Sequence, residues 1–445
     1  MKNIFTTKIF NILFLIIVVL LPIQTRYFLM IQNINNNFFE YGSISLYVID
    51  ILIIFFIAYG IIYSIKNKTI IDKKSKIFIL LLSLFNISIF ISIFFAPDKT
   101  VAVYNFIKIL IFSSFSFIIF INKIKMEWFI SSFILSSSIQ GFISIYQFIM
   151  QSISANKYIG VSEQLPFNLG TYVIEGGFGR ILKSYGLFPH PNMLGLFLLI
   201  GLIFILFKIL EHKKEKNLLE TSRIDFKMIY LIYAFGINFI GLIFTFSRTA
   251  IFIFIISFIL FLMYEIFIHI KNKDIINKKI NYNLSIFIVL IFIILSTSLP
   301  ASDLLASRTD VNNRLVTKST NERLGQLKDF KNYIEQKYLT GVGIGNYTIY
   351  KYNQNKNLNT WDLQPIHDIY LLIFLETGIF GLLAFIGLII FKLIVNKEVK
   401  IMIPFIAILL FGILDHFIIT LTFGLIIFFL FLGIEGDKTK YMIEY

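Results

Sequence analysis

IFIVLIFIIL, residues 286–295, is an unbroken apolar run in which polar and apolar positions do not alternate. In lipid, backbone polar groups are satisfied only within helices or within a closed barrel. A strand of a transmembrane barrel alternates apolar and polar side chains, whereas a spanning helix is apolar for most of its length. The run therefore predicts a membrane-spanning helix.

Similar runs lie on both sides of this segment, in a 445-residue chain that is 57% hydrophobic and only 15% charged. Soluble domains carry about 25% charged residues. The sequence thus predicts an all-α, polytopic membrane protein with about 12 transmembrane helices and a large, partly helical external loop between spans 9 and 10. The predicted spans are 9–31, 44–65, 77–95, 101–121, 127–150, 192–210, 227–245, 249–270, 284–299, 367–394, 401–415 and 417–434.

The loops between these spans form two alternating sets. One set is rich in lysine, in groups such as 66–76, 213–216 and 271–279, whereas the short loops of the other set hold almost none. Cytoplasmic loops carry the Lys/Arg excess of membrane proteins, so both termini are predicted to be cytoplasmic. The formal net charge of +14 is accordingly interpreted as a topology signal, and no nucleic-acid partner is expected. The chain has no cysteine, which excludes disulfides and cysteine–metal sites.

Two connections are much longer than the rest, and both fall on the predicted outer face. They are residues 151–191 and residues 300–366, within what we interpret as a single integral membrane domain covering residues 1–445. Long loops in a compact protein usually carry function. We therefore expect the functional residues to lie in or beside these two loops.

The larger loop contains signals of local order. Residues 319–322 fit the Ser-x-x-Glu capping box, and apolar residues then recur at helical spacing. These features predict an amphipathic helix near 320–339. Gly341, Gly343 and Gly345 follow, and Asn346 comes directly after them. Alternate glycines allow close backbone approach, although a tight loop packed on the bundle is an equally simple interpretation.

Several cations are predicted on the outer side. Arg248 lies between Ser247 and Thr249 where two spans meet, and a charge there is costly unless it is paired or faces water. Arg323 and Arg180 lie in the two long loops. Each could be a solvated or snorkelling cation. Together they would suit an anionic lipid diphosphate, because guanidinium groups bind phosphate in bidentate fashion.

His367 and Asp368 open the tenth span, and Glu376 follows about two turns later. Histidine is the usual general base, although a polar residue at a helix N-terminus is the simpler alternative for both His367 and Asp368. His190 and Asn192 occupy a similar position before the sixth span. The Asp-His pair at 415–416 is interpreted as a polar turn. The sequence shows no metal-ligand spacing, so neither a metal nor another cofactor is expected.

At these positions the chain resembles the O-antigen ligase and O-antigen polymerase superfamily of bacterial membrane glycosyltransferases. The segments that carry the resemblance are, in order, HPNMLG at 190–195, SRTA at 247–250, NER at 321–323, LTGVGIGNY at 339–347, HDIYL at 367–371 and ETGIFG at 376–381.

The resemblance implies transfer of a glycan from an undecaprenyl-diphosphate-linked donor at the outer face of a bacterial cytoplasmic membrane. It implies that Arg248 and Arg323 bind the diphosphate. We add Arg180 to this set because it is a further cation in an external loop. The resemblance also implies His367 as the metal-independent base, with residues 343–346 shaping the loop. Ligases of this superfamily often have Asn, Ser or Gln after the histidine, so Asp368 favours a polymerase.

Other functions remain open at this stage. The main alternative is ligase-type transfer of a glycan to a lipid or protein acceptor. A polysaccharide flippase is a second alternative, but such transporters often have repeated halves, and none is visible in this sequence. A membrane scaffold without chemistry is a third. The expected partners are the lipid-linked oligosaccharide, the bilayer, a flippase and a chain-length regulator.

Overall fold

The computed structural model describes residues 4–176, 179–217, 225–271, 325–326, 330, 333 and 337–436. In this part of the chain, eight helices are long and apolar enough to cross a membrane, and three shorter apolar helices accompany them. The prediction of an all-α polytopic membrane protein is confirmed. The described α-helices are α1 (Ile4–Leu20), α2 (Val48–Lys66), α3 (Lys73–Ile93), α4 (Lys99–Asn122), α5 (Met126–Met150), α6 (Pro191–Asn217), α7 (Phe226–Phe244), α8 (Arg248–Lys271), α9 (Tyr347–Gln354), α10 (Ile369–Val395), α11 (Val399–Leu414), α12 (Phe417–Thr420) and α13 (Thr422–Gly433).

Apart from the first and the last, the predicted spans within the described residues each correspond to one of these helices, with ends that differ by up to seven residues, and span 284–299 lies outside the described residues. The structure differs at both ends of the chain. The first predicted span, 9–31, includes a strand, because α1 ends at Leu20 and the apolar segment Arg26–Met30 forms β1. The last predicted span, 417–434, is divided at Leu421 into α12 and α13.

Six short strands accompany the helices in the described ranges. β1 pairs antiparallel with β4 (Ile44–Tyr47), and β2 (Asn33–Ile34) pairs with β3 (Asn37–Phe38) between them. Arg26 of β1 forms an ion pair with Glu40, which fixes this hairpin against its own loop. β5 (Val173–Gly176) and β6 (Gly179–Leu182) form a second hairpin in the loop 151–191.

The chain divides into two compact units. Unit 1 comprises residues 1–136, 157–161 and 323–445, and it contains α1–α4, the start of α5 and α9–α13. Within it, α10 packs along α3 and α13 packs along α4. Aromatic stacking contributes to this core: the rings of Phe78 on α3 and Phe391 on α10 lie 5.4 Å apart, nearly parallel.

Unit 2 comprises residues 137–156 and 162–322, and its described part contains the rest of α5, the β5–β6 hairpin and α6–α8. Helix α6 packs against both α7 and α8 and is buried over a full membrane-spanning length. Small and polar residues allow close packing here: Asn238 of α7 donates a hydrogen bond to Ser138 Oγ at 2.9 Å.

The predicted amphipathic helix near 320–339 lies only partly within the described residues. Gly325, Gln326, Phe330, Tyr333 and Lys337 are helical, whereas the capping box at 319–322 and Arg323 lie outside. Phe330 and Tyr333 pack against a core formed by residues 341–347, called the glycine loop below, and by the start of α10. The extent of the helix stays a prediction.

Candidate functional site

Helix α10 is interrupted at Gly378, and the glycine loop binds at this interruption. Gly378 has φ 71°, a left-handed conformation that breaks the helical hydrogen-bond ladder. Val342 N donates to Leu375 O at 2.8 Å and Gly343 N donates to Glu376 O at 2.9 Å. The break therefore frees carbonyl groups of α10 that the loop uses, and the two segments fix each other.

The Glu376 side chain completes this attachment. Its two carboxylate oxygens accept hydrogen bonds from Gly345 N at 2.8 Å and Tyr347 N at 3.3 Å. The side chain is buried, and a buried carboxylate must be hydrogen-bonded to be tolerated. In this geometry Glu376 holds the glycine loop in place and its oxygens are engaged by the backbone.

The glycines at 343 and 345 are required by space as well as by conformation. Both have positive φ, and a Cβ on Gly343 would collide with Ala96, while a Cβ on Gly345 would collide with Asn105. Asn346 is fully buried, and its Oδ1 accepts from Asp98 N at 2.9 Å. The loop is thus fastened to the turn before α4 as well as to α10.

His367 lies just before α10, and hydrogen bonds fix both the start of the helix and the backbone of His367 itself. Asp368 is the N-cap of α10, and its Oδ1 accepts from Tyr370 N at 2.8 Å and Leu371 N at 3.0 Å. Burial raises the pKa of Asp368 above its usual value, and these two hydrogen bonds act in the opposite direction. His367 N donates to Gln326 Oε1 at 3.1 Å, which ties the histidine to the helical part of the large loop.

The turn between α11 and α12 brings Asp415 and His416 to His367. The His367 and His416 rings stack with centroids 5.0 Å apart. Within the described part of the chain, His367 Nδ1 is buried without a hydrogen-bond partner, and it lies 3.9 Å from Asp415 Oδ1. The His367 side chain as a whole is 26% exposed. One ring face and edge are thus fixed by protein groups while part of the ring remains accessible.

These three side chains are also the group in the described residues that could hold a metal ion, since one ligand atom of each lies within 4.8 Å of the others. Two histidines and one carboxylate are a known donor set for divalent first-row metals. No metal-ligand spacing is visible in the sequence, because Asp415 and His416 are adjacent and His367 is far away along the chain. The expectation of a metal-free site therefore stays a prediction.

The turn between α7 and α8 places Arg248 at the first position of α8. Phe246 has φ 46°, and Ser247 Oγ accepts from Ala250 N at 3.2 Å as a helix cap. Ser247 is buried, whereas Arg248 is exposed and Thr249 is intermediate. The flanking hydroxyl of Ser247 thus serves the turn itself, and Arg248 is the group of this segment that faces outward.

The segment before α6 contains contacts that fix His190 and the start of the helix. Pro191 begins α6, a position where its missing N–H costs nothing. His190 Nδ1 accepts from Asn192 N at 2.9 Å, and the His190 ring meets Tyr172 edge-on at 4.1 Å. The following turn of α6 packs tightly on the α7–α8 turn, because a Cβ on Gly195 would lie 2.7 Å from that of Ala250.

Arg180 is held in the β5–β6 hairpin. It lies directly across from Glu175 in the antiparallel register, and its Nε is 3.7 Å from the Glu175 carboxylate. This cross-strand pair offsets its charge locally.

The predicted site residues therefore separate into two groups. His367, Asp368, Glu376, Gly343, Gly345 and Asn346 lie together in unit 1, and Arg180, His190, Asn192, Ser247, Arg248 and Thr249 lie in unit 2. Arg323 lies outside the described residues. The sequence interpretation did not assign a role to Asp415 and His416, although a charged pair in an otherwise apolar span end was the available signal.

The fold and these helix-end polar residues define a polytopic helical membrane protein with a candidate site at loop–helix junctions. The family model described as O-antigen ligase matches residues 233–386, a range that includes Arg248, the glycine loop, His367 and Glu376. This match supports membership of the O-antigen ligase/polymerase family. No curated protein matches the chain.

Proposed function

We propose that this protein polymerises undecaprenyl-diphosphate-linked oligosaccharide units for a surface polysaccharide, with His367 as the general base. The match to the O-antigen ligase family model supports glycan transfer of the ligase/polymerase type. The single observation that carries the residue assignment is the buried Nδ1 of His367, 3.9 Å from Asp415, on a ring that stays partly exposed.

The chemistry follows from the leaving group. A diphosphate leaves readily from a sugar, so the enzyme must orient an acceptor hydroxyl, remove its proton and stabilise negative charge on the diphosphate. Asp415 on the Nδ1 side of His367 orients the ring and stabilises the imidazolium that forms. The other ring nitrogen is then available to the acceptor hydroxyl. Catalytic hydrogen bonds are commonly longer before substrate binds, which fits the 3.9 Å separation.

The diphosphate is assigned to arginines. Arg248 is exposed at the N-terminus of a long helix, where backbone N–H groups and the helix dipole also favour an anion. Arg323 is assigned by motif alone. Arg180 is the weakest of the three, because Glu175 already offsets its charge. Ser247 and Thr249, and likewise His190 and Asn192, support the shape of this region.

The location of the reaction is part of the proposal. The lysine-rich loops are placed in the cytoplasm, with both termini, so that the candidate residues face the outer side of the cytoplasmic membrane. There the lipid tail of the donor stays in the bilayer while its glycan is outside. A flippase would supply the donor and a chain-length regulator would end elongation.

The acceptor separates polymerisation from ligation. Asp368 caps α10 through its side chain, a task that Asn and Ser perform about equally well. The residue after the histidine is therefore explained by the helix start, and the product must decide between the two reactions. A polymerase gives a ladder of glycan lengths still linked to the donor lipid, whereas a ligase gives glycan on a different acceptor.

The test is to delete the gene in its own host and complement it with the native chain or with His367→Ala. The native chain should restore a ladder of lipid-linked glycans on a gel, and His367→Ala should leave single units at equal protein level. Glycan transferred as a single block to another molecule would favour ligase activity. Donor units trapped on the cytoplasmic side of the membrane would favour a flippase and overturn the proposal.

A further inference from the structure

Unit 1 contains a polar cavity that the proposed mechanism does not use. Its volume is about 60 Å³, enough for about two hydroxyl-sized groups. Its wall is formed by the loop and second strand of the β1–β4 hairpin, by α4, by the glycine loop, by α9 and by the segment before α13. The lining residues used below are Tyr41, Tyr104, Lys108, Thr348, Thr420 and Thr422.

Lys108 provides a buried ammonium group in this wall. It lies on α4, roughly 14 Å along the helix from its start at Lys99. Its Nζ is 3.7 Å from Asp50 Oδ2, donates to Thr422 Oγ1, and lies 5.3 Å from the centre of the Tyr104 ring. A buried charge at membrane depth is costly, so such a residue is a functional candidate by default.

The charges around the cavity are compensated within the protein. Asp50 offsets Lys108, Arg26 offsets Glu40, and the backbone of the glycine loop occupies both oxygens of Glu376. A phosphate or diphosphate would need cations that are not already paired. The cavity therefore fits a ligand that is polar but uncharged.

One residue that lines the cavity, Thr348, carries a polar atom for which the described residues provide no partner. Thr348 Oγ1 is buried, in a residue that is only 3% exposed, and it has no hydrogen-bond partner among the residues that the structure describes. Buried hydroxyl groups are nearly always hydrogen-bonded, because leaving one unsatisfied costs about 1–3 kcal/mol. A ligand hydroxyl in the cavity would satisfy it.

The cavity lies beside the cluster formed by His367, Asp415 and His416. Tyr41 lines the cavity, and its ring meets the His416 ring edge-on at 5.8 Å. Thr420 also lines it, and Thr420 Oγ1 is 2.8 Å from His416 Nδ1. A group bound in the cavity is thus separated from the His367–His416 pair by a single layer of side chains.

We propose that this cavity binds the hydroxyl-bearing edge of an uncharged sugar ring, and that this sugar belongs to the acceptor glycan. The acceptor part of the inference rests on the proposed function. Tyrosine rings and hydroxyl groups are suited to a sugar, since a ring gives an apolar face and the hydroxyls exchange hydrogen bonds. Lys108 donates to a sugar hydroxyl while Asp50 keeps it charged.

The test uses the full-length protein in nanodiscs and measures binding of the neutral oligosaccharide fraction of the host's own surface polysaccharide, separated from charged material by anion exchange. Thr348→Val removes the unpartnered hydroxyl and keeps the shape, so the dissociation constant should rise about three- to tenfold. Thr348→Ser should restore the native value. The matched control is Thr377→Val, because Thr377 is equally buried but bonds Ile373 O on its own helix.

Inorganic pyrophosphate tests the alternative that the cavity binds a charged phosphate group. It should neither compete with the oligosaccharide nor bind more weakly after Thr348→Val. Equal oligosaccharide binding by the native chain and by Thr348→Val would overturn the sugar assignment, as would Thr348-dependent binding of pyrophosphate.

A kinetic readout separates this inference from the proposed function. Thr348→Val should raise the acceptor KM and leave the donor KM unchanged. Glycan transfer with an unchanged acceptor KM would overturn the acceptor subsite and leave the proposed function standing. Thr348-dependent oligosaccharide binding by a protein without transferase activity would overturn the proposed function and leave the sugar site standing.

Discussion

The surroundings of His367 in unit 1 and the α7–α8 turn in unit 2 are built in opposite ways. Around His367, backbone and side chains are fixed by Asp368, Gln326 and the ring of His416, and one ring nitrogen faces Asp415. In the turn, the buried hydroxyl of Ser247 serves the helix cap and Arg248 is exposed. The first arrangement suits a base whose orientation must be fixed, and the second leaves an exposed cation that a ligand can reach.

The largest effect is expected where orientation matters most. His367→Ala should lower kcat by about 10³-fold, within the range for loss of a positioned general base. His212→Ala is the matched control. His212 lies near the C-terminal end of α6 in unit 2 and is paired with Asp225, so this substitution should leave kcat within about twofold of the native value. Steady-state kinetics with the lipid-linked donor would measure both. Equal losses in the two variants would contradict the role of His367.

Arg248→Ala should come next, with a loss of about 10²-fold in kcat/KM for the donor, since one fully engaged arginine–phosphate contact is removed. Arg248→Lys should recover only part of it, because lysine lacks the bidentate fork. Arg180→Ala should cost tenfold or less, as Glu175 already holds that side chain. An Arg180 effect larger than that of Arg248 would reverse the assignment.

The two aspartates near His367 should behave differently. Asp415→Asn should lower kcat about tenfold with donor KM unchanged, because the amide cannot stabilise an imidazolium as a carboxylate does. Asp368→Asn should change kcat less than twofold, because asparagine caps a helix about as well as aspartate. Parallel kinetics on the two variants would measure this contrast, and equal losses would contradict separate roles.

The smallest effect is expected from removing metal ions. EDTA should leave activity unchanged, since the proposed mechanism uses His367 as a base and arginines for charge. Added Zn²⁺ should inhibit, because His367, Asp415 and His416 can converge on one ion. Loss of activity in EDTA, with recovery on adding a divalent ion, would instead make this cluster a metal centre.

Much of the fold was predictable from hydropathy, because an apolar run of about 20 residues has few alternatives in a bilayer. The strand Arg26–Met30 was not, since its apolar residues continue the pattern of α1 and only pairing with β4 reveals it. The division at Leu421 likewise breaks an otherwise uniformly apolar segment. Local composition cannot report a hydrogen bond to a distant partner.

The candidate site was predictable in its residues but only partly in their roles. His367 and Arg248 stand out because polar groups are costly beside membrane spans. The role of Glu376 depends on the break in α10 at Gly378, where the glycine loop supplies N–H donors to the carboxylate. The contact between His367 and Asp415 joins separate helices, so it became visible only in the structure.

The central claim is that His367 activates an acceptor hydroxyl in a transfer that releases a lipid diphosphate. The most direct measurement is the release of undecaprenyl diphosphate from the purified lipid-linked oligosaccharide in nanodiscs, with the length of the glycan product followed in the same reaction. We predict that the native protein releases one undecaprenyl diphosphate for each unit added to the glycan. The His367→Ala protein should neither release the diphosphate nor lengthen the glycan. Stepwise glycan growth at the native rate by a folded His367→Ala protein would contradict the account.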